Sequence, residues 1–174
     1  MTLGLFAVGV RYGAGYPITP WSTIMETLRT ELQKYGGLFV QAEDELGVIA
    51  YARGFAYAGH LAVTGSSGPG LSLKMEALGW ATMAELPLIV INVQRGGPST
   101  GLPTNVEQSD LMQAIYGSHG DAPRIVLAPQ NVEDCFPPSK PVASLANTLL
   151  PSSFSPTRLS PPASRPLTSP MSKP

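Results

Sequence analysis

The sequence predicts an α/β fold, a doubly wound parallel sheet with helices on both faces, and three observations predict it. Short apolar, β-rich runs alternate with helical patterns through residues 1–136. Each run carries more apolar residues than a half-exposed strand would, so each requires cover on both faces. The segments that carry the special residues fall where those runs end, and an open parallel sheet binds ligands at the carboxyl ends of its strands.

The elements follow in chain order. MTLGLFAVGV is apolar but lacks the basic n-region and small-residue cleavage pattern of a signal peptide, and reads as the end of a helix that begins upstream. RYGAGYP (11–17) is a short first strand closed by a proline. Trp21–Tyr35 sets Ile24, Met25, Leu28 and Leu32 on one side of a helix with Ser22 as N-cap. GLFVQAED (37–44) is the next strand, and Leu46–Tyr57, rich in Ala and apolar almost all round, is a buried helix. HLAVTGSS (60–67) and LPLIVINVQ (86–94) are strands flanking a helix at Leu71–Glu85. A helix over Val106–Tyr116 and a strand at RIVLAPQ (124–130) come next, and Asn131-Val-Glu-Asp caps one more helix. Prolines at 137, 138 and 141 stop that helix in its first turns.

Composition divides the chain at Phe136. All 18 glycines and all 12 acidic residues lie in residues 1–136, where seven Lys and Arg leave a formal charge of −5. The last 38 residues hold 10 of the 18 prolines, nine serines and four basic residues, the bias of a disordered Pro/Ser-rich tail. Neither part clusters Lys and Arg densely enough for a nucleic-acid partner. Cys135, the single cysteine, forbids an internal disulfide and suits a reducing compartment, by default the cytoplasm. No apolar run reaches the roughly 18 residues that a membrane span needs.

Four loops at one sheet edge gather the residues capable of chemistry: Tyr16–Pro20, Glu43–Glu45, Ser66–Gly70 and Gln94–Gly101. Pro17 and Pro20 around Thr19 make either a rigid turn or a ligand loop. Ser66-Ser67-Gly68-Pro69-Gly70 is a tight turn or a row of amides at a helix start, where an anion can sit. Acidic residues such as Glu43, Asp44 and Glu45 usually open a solvated helix. Glu45, however, precedes a helix that reads as buried, so a carboxylate can be drawn inside. Arg95 stands after an apolar strand and before two glycines, placed for a bidentate carboxylate contact or for a structural ion pair. His60 and His119 lack metal-ligand company and read as structural or surface residues. Cys135 reads as a buried small side chain, and Met75, Met83 and Met112 as core.

YPITP, QAEDE, the Ser-Gly-Pro-Gly loop, VQRGGPSTGLPT, Glu107-Gln108-Ser109-Asp110, GSHGDAPRIVLAP and VEDCF together resemble the α subunit of 2-oxoacid:ferredoxin oxidoreductases, the 2-oxoglutarate (KorA-like) branch more than the pyruvate branch. The resemblance covers nearly all of residues 3–136. It implies the pyrimidine-binding domain for thiamine diphosphate, a doubly wound layer that builds its site against a partner domain. The family pattern E-x-G-x-x-x-x-A-x-G fits Glu45, Gly47, Ala52 and Gly54 in register. Glu45 is thereby matched to the glutamate that hydrogen-bonds the pyrimidine ring nitrogen and promotes the imino tautomer, which takes the thiazolium proton. Thr19 matches the threonine near cofactor and substrate, and Arg95 the arginine that clamps the substrate carboxylate. Ser67 and Gly68 fall among the implied cofactor contacts, while Ser99, Thr100 and Thr104 fall in the implied 2-oxoacid pocket.

The reaction so implied is attack of the cofactor's ylide on the 2-oxo carbon, loss of carbon dioxide, transfer of two electrons to an iron–sulfur cluster and on to ferredoxin, and release of the acyl group to coenzyme A. One cysteine cannot hold a cluster that needs about four ligands. The chain also lacks the diphosphate/Mg²⁺ motif Gly-Asp-Gly with a later Asn, because Ala122 follows Gly120-Asp121. Mg²⁺ and the cluster are therefore expected on a β subunit.

The broken rhythm after Phe136, where the last helix and strand of the layer are missing, predicts a reading-frame shift. Codons for the tail can be chosen so that the overlapping frame spells AIEACR, EYATPVILLSD and ASLATRIEAFDEPDVEA, an amphipathic helix, a buried strand and an acidic segment. Two functions from different classes follow: an enzyme component, or a non-catalytic truncated product that at most binds its β subunit. A thiamine enzyme without ferredoxin, of the acetolactate synthase kind, is disfavoured by RGGPSTGLPT.

Overall fold

The computed structural model describes residues 1–136. The tail, its boundary and the frame-shift expectation lie outside the described residues. Four strands, β1 (Tyr12–Gly15), β2 (Leu38–Gln41), β3 (Ala62–Ser66) and β4 (Leu88–Asn92), pair in parallel in the order β2-β1-β3-β4. The order runs one way from β1 to β2 and the other way from β1 to β4, which makes the sheet doubly wound with its switch point between β1 and β3.

Helices cover both faces. α1 (Thr2–Ala7) and α2 (Ser22–Glu31) bring Leu5, Trp21, Met25 and Leu28 against Phe39, Val63 and Ile91. A 3₁₀ turn, Leu32–Tyr35, extends α2 and leads into β2. α3 (Glu45–Tyr57) covers the opposite face, where Val48 packs with Ala14 and Ala42. Strand side chains alternate, so Thr64 and Ser66 share the α3 face while Val63 points to the α2 face. Full burial of Trp21, Leu28 and Leu32 contributes about 1.5–3 kcal/mol each.

Several elements differ from the sequence pattern. The helix expected over Leu71–Glu85 is two helices, α4 (Gly68–Leu73) and α5 (Met75–Met83), meeting at Lys74. Of Val106–Tyr116 only α6 (Leu111–Tyr116) is helical, because the preceding residues hold loops: buried Asp110 accepts from Asn92 and Gln94, and exposed Glu107 accepts from the Gly97 N–H. Ser22 lies inside the first turn of α2 rather than capping it, and the buried Trp21 takes the cap position. α3 is buried on one side only: Leu46, Tyr51 and Tyr57 are exposed. Residues 124–130 form no strand, and Ile125, Val126 and Leu127 are exposed. A parallel strand needs a paired neighbour and cover on both faces, and among the described residues that run has neither. Where the sequence predicts a helix after Asn131 the described residues form only a 3₁₀ turn, Glu133–Cys135, preceded by a bend in which the Asn131 side-chain oxygen accepts from the Asp134 N–H at 2.8 Å.

Candidate functional site

All four predicted loops leave the carboxyl edge of the sheet. Asp44, exposed, caps α3 by accepting from the Gly47 N–H at 2.7 Å. That cap starts the helix one residue later, at Glu45, and the first turn carries the carboxyl inward, so that Glu45 is only 8% exposed. It lies against Gly70 of α4. A Cβ built there would stand 2.6 Å from Glu45 Oε1 and would overlap Ser66 Oγ. Glycine at 70 is therefore what admits the Glu45 carboxyl and the Ser66 hydroxyl to one pocket. The hydroxyls of Thr64, Ser66 and Ser67 are buried and have no hydrogen-bond partner among the described residues. Unpaired buried hydroxyls cost free energy, and a polar ligand relieves it.

Arg95 is also buried, at 6% exposure. The structural ion pair anticipated as one alternative is not formed among the described residues. Nη1 donates to the Thr19 carbonyl at 2.8 Å and Nη2 to the Thr100 carbonyl at 2.7 Å, while Nε stays unpartnered. No carboxylate pairs with it among the described residues. The arginine thus ties the loop after β1 to the loop after β4. Asp110, for which the sequence predicts no role, is buried and accepts from Asn92 Nδ2 and Gln94 Nε2, both at 2.7 Å. Glu107 accepts from the Gly97 N–H at 3.0 Å. At Gly101 the backbone is left-handed, φ 55°, and a side chain there would overlap the Gly96 carbonyl, so this tight return also requires glycine.

A groove of about 480 Å³ runs between α4 and this loop, with Gly68, Arg95, Ser99 and Asp110 among its lining. Ser99, at φ 56°, Thr100 and Thr104 are exposed, and Thr104 is not among the groove's lining residues. Thr19 is exposed and reaches Arg95 through its carbonyl. The structure thus brings Thr19, Ser67, Gly68, Arg95, Ser99 and Thr100 to one edge, with Glu45 beside Gly70.

Lys74 was missed by the sequence reading. It is fully buried, and its ammonium has no hydrogen-bond partner among the described residues. Burial pushes it down to about 8, an effect opposed by Glu45 and, more weakly, Asp44. The available signal was its spacing, four residues after Gly70. His60 stacks on Tyr12 with ring centroids 4.0 Å apart, and His119 is exposed. Cys135 is half-buried, not buried. Met83 and Met112 are 82% and 68% exposed, not core, because no described element packs over those helix faces. No cluster of three or more His, Cys, Asp or Glu that could hold a metal ion occurs among the described residues, and no helix there is long and apolar enough to cross a membrane.

Comparison with known proteins gives this edge a context. The family model described as pyruvate flavodoxin/ferredoxin oxidoreductase, thiamine diphosphate-binding, matches residues 4–146. The chain belongs to this pyruvate flavodoxin/ferredoxin oxidoreductase family. Within the family it is 50% identical over 133 residues to the 2-oxoglutarate synthase subunit KorA of Methanothermobacter thermautotrophicus, covering 76% of this chain and 35% of that protein. It is 58% identical over 121 residues to the 2-oxoglutarate oxidoreductase subunit KorA of Mycobacterium tuberculosis, covering 70% of this chain and 18% of that protein. A solved 2-oxoglutarate:ferredoxin oxidoreductase from Magnetococcus marinus, with 2-oxoglutarate, coenzyme A and succinyl-CoA bound, superposes with a TM-score of 0.78 at 49% identity, over 85% of this chain and 25% of that one. This family member therefore spans between about a fifth and a third of the length of these relatives.

Proposed function

We infer that this chain supplies the pyrimidine side of a thiamine diphosphate site in a 2-oxoacid:ferredoxin oxidoreductase, with 2-oxoglutarate as the 2-oxoacid. The observation that carries the reading is the buried Glu45 carboxyl, held against Gly70 among unpartnered buried hydroxyls. Those residues fit the polar edge of an aminopyrimidine: a carboxyl in a partly dry pocket can share a proton with a ring nitrogen. When bound, thiamine diphosphate supplies the carbanion chemistry that removes carbon dioxide from the 2-oxoacid.

This chain's residues bind and orient. Glu45 holds or gives up a proton at its carboxyl oxygen. Ser67 and Gly68 line the approach along α4, and Thr19 borders it from the β1 loop. Arg95, already fixed by two carbonyls, keeps its positive charge at the groove, where the substrate carboxylate is received beside Ser99, Thr100 and Thr104. A companion β subunit is assigned the diphosphate, Mg²⁺ and the iron–sulfur cluster, with coenzyme A and ferredoxin as further partners. The setting is the cytoplasm, in keeping with a single cysteine. A second reading is a non-catalytic chain that at most binds the companion subunit.

Reconstitution decides between them. The chain, purified with the β subunit of a relative, is expected to reduce a viologen dye with 2-oxoglutarate and coenzyme A only when thiamine diphosphate is present. Glu45→Ala is expected to abolish that reduction. A stable complex with no thiamine-dependent reduction would favour the non-catalytic reading.

A further inference from the structure

Lys74 is a buried cation with no hydrogen-bond partner among the described residues, and the proposed function gives it no task. A lone buried ammonium is costly, and a chain that keeps one without an ion pair or hydrogen bond keeps it at the expense of stability. Its position narrows what it can do. Lys74 follows Gly70 by four residues, at the C-terminal end of α4, and both are buried. The Glu45 carboxyl meets α4 at Gly70. Ser66 from β3 contributes only a neutral hydroxyl to the same pocket.

Of the other charged groups on the neighbouring elements, only Asp44 acts on Lys74, more weakly than Glu45. Glu43 and Asp44 are exposed at the start of α3, and Glu76 of α5 is exposed. Arg53 of α3 stacks over the Trp80 ring, 4.8 Å from its centroid. Glu45 is the one buried carboxyl facing Lys74 among the described residues, since buried Asp110 is engaged at the end of β4.

We propose that Lys74 is a positioning residue for Glu45: its buried ammonium stabilises negative charge on the Glu45 carboxylate and so drives the proton that Glu45 shares toward the ring nitrogen of bound thiamine diphosphate. The inference rests on the cofactor reading above. A positive charge beside a carboxyl favours carboxylate plus protonated ligand over carboxylic acid plus neutral ligand. The effect lasts while Lys74 keeps its proton, which its burial limits to pH below about 8.

Two measurements on the full chain test this. The first is thermal unfolding across pH. Lys74→Met is expected to raise the midpoint by a few degrees at neutral pH, because a charge whose burial Glu45 only partly offsets leaves the interior. Glu45→Gln is expected to move the pH at which Lys74 gives up its proton below about 8, because the opposing carboxylate is gone. A Lys74→Met chain that melts lower than the wild type would make Lys74 a packing residue, and a Lys74 titration unmoved in Glu45→Gln would deny the coupling. Either result overturns the proposal.

The second is thiamine diphosphate binding by calorimetry, with the companion subunit present. Wild-type affinity is expected to fall roughly tenfold as pH rises through about 8. Lys74→Met is expected to be weak and flat on both sides, and Lys74→Arg to keep the tight binding past that pH. Equal affinity and equal pH dependence in wild type and Lys74→Met would overturn the proposal alone. No binding by the wild type at any pH would overturn the cofactor reading, while the Glu45→Gln titration would still report on the Lys74–Glu45 coupling.

Discussion

Arg95 and Glu45 are the residues at which sequence and structure meet most closely, and Lys74 is where they part. Glu45 was legible because an acidic residue stood at the start of an apolar helix pattern. Arg95 was legible because a cation stood between an apolar strand and two glycines. What the sequence could not supply was the use made of Arg95 within the chain. Its two carbonyl contacts join loops 76 and five residues distant, and only the folded sheet brings them together. Lys74 was illegible for a related reason. A lysine in a helical pattern ordinarily reads as a solvated residue, and its burial depends on how α3 and α4 pack. Arg95→Ala is expected to destabilise the chain by about 1.5–3 kcal/mol per lost charge-assisted hydrogen bond, read as a lower urea midpoint. Under the proposed function it also raises KM for the 2-oxoacid more than it lowers kcat. An unchanged urea midpoint would mean that the loops hold without it.

At the scale of elements, strands and long helices were legible and their junctions were not. The runs that hold β2, β3 and β4 are rich in apolar residues, and that pattern survives any detail of packing. The loss of helix before Leu111 goes with contacts that Glu107 and Asp110 make 10 to 18 residues away, and the break between α4 and α5 at Lys74 has no signal in the local sequence. The run at 124–130 has the composition of a strand but no neighbour among the described residues, so composition alone misassigned it. Two substitutions probe the junctions. Gly70→Ala places a methyl where Ser66 and Glu45 already sit, and is expected to cost about 1–3 kcal/mol through overpacking. Asp110→Ala leaves the Asn92 and Gln94 amides without their acceptor, and is expected to cost about 1–3 kcal/mol. Urea unfolding checks both, and wild-type midpoints would show that the pocket and the loop yield without strain.

At the scale of the whole molecule, a parallel sheet wound both ways from β1 was legible from chain order, and it dictates that the loops after β1, β2, β3 and β4 share one edge. Placing Glu45 and Arg95 on that edge required only the strand order. The buried Lys74 gives the molecule a pH dependence of definite sign. Its folded value, about 8, lies below the 10.5 of an exposed lysine. Between those values the unfolded chain binds more protons, so stability rises with pH there and gains nothing from Lys74 below about 8. The full rise amounts to roughly 3 kcal/mol at most. Urea unfolding on either side of that window, with Lys74→Met as reference, is expected to show the rise in the wild type alone.

The central claim is that Glu45 anchors a thiamine diphosphate half-site, and calorimetric titration of thiamine diphosphate into the chain with its companion subunit tests it most directly. The wild type is expected to bind, and Glu45→Ala to bind at least tenfold more weakly while still assembling with the subunit. Equal binding by both chains, or none by the wild type in an intact assembly, would contradict it.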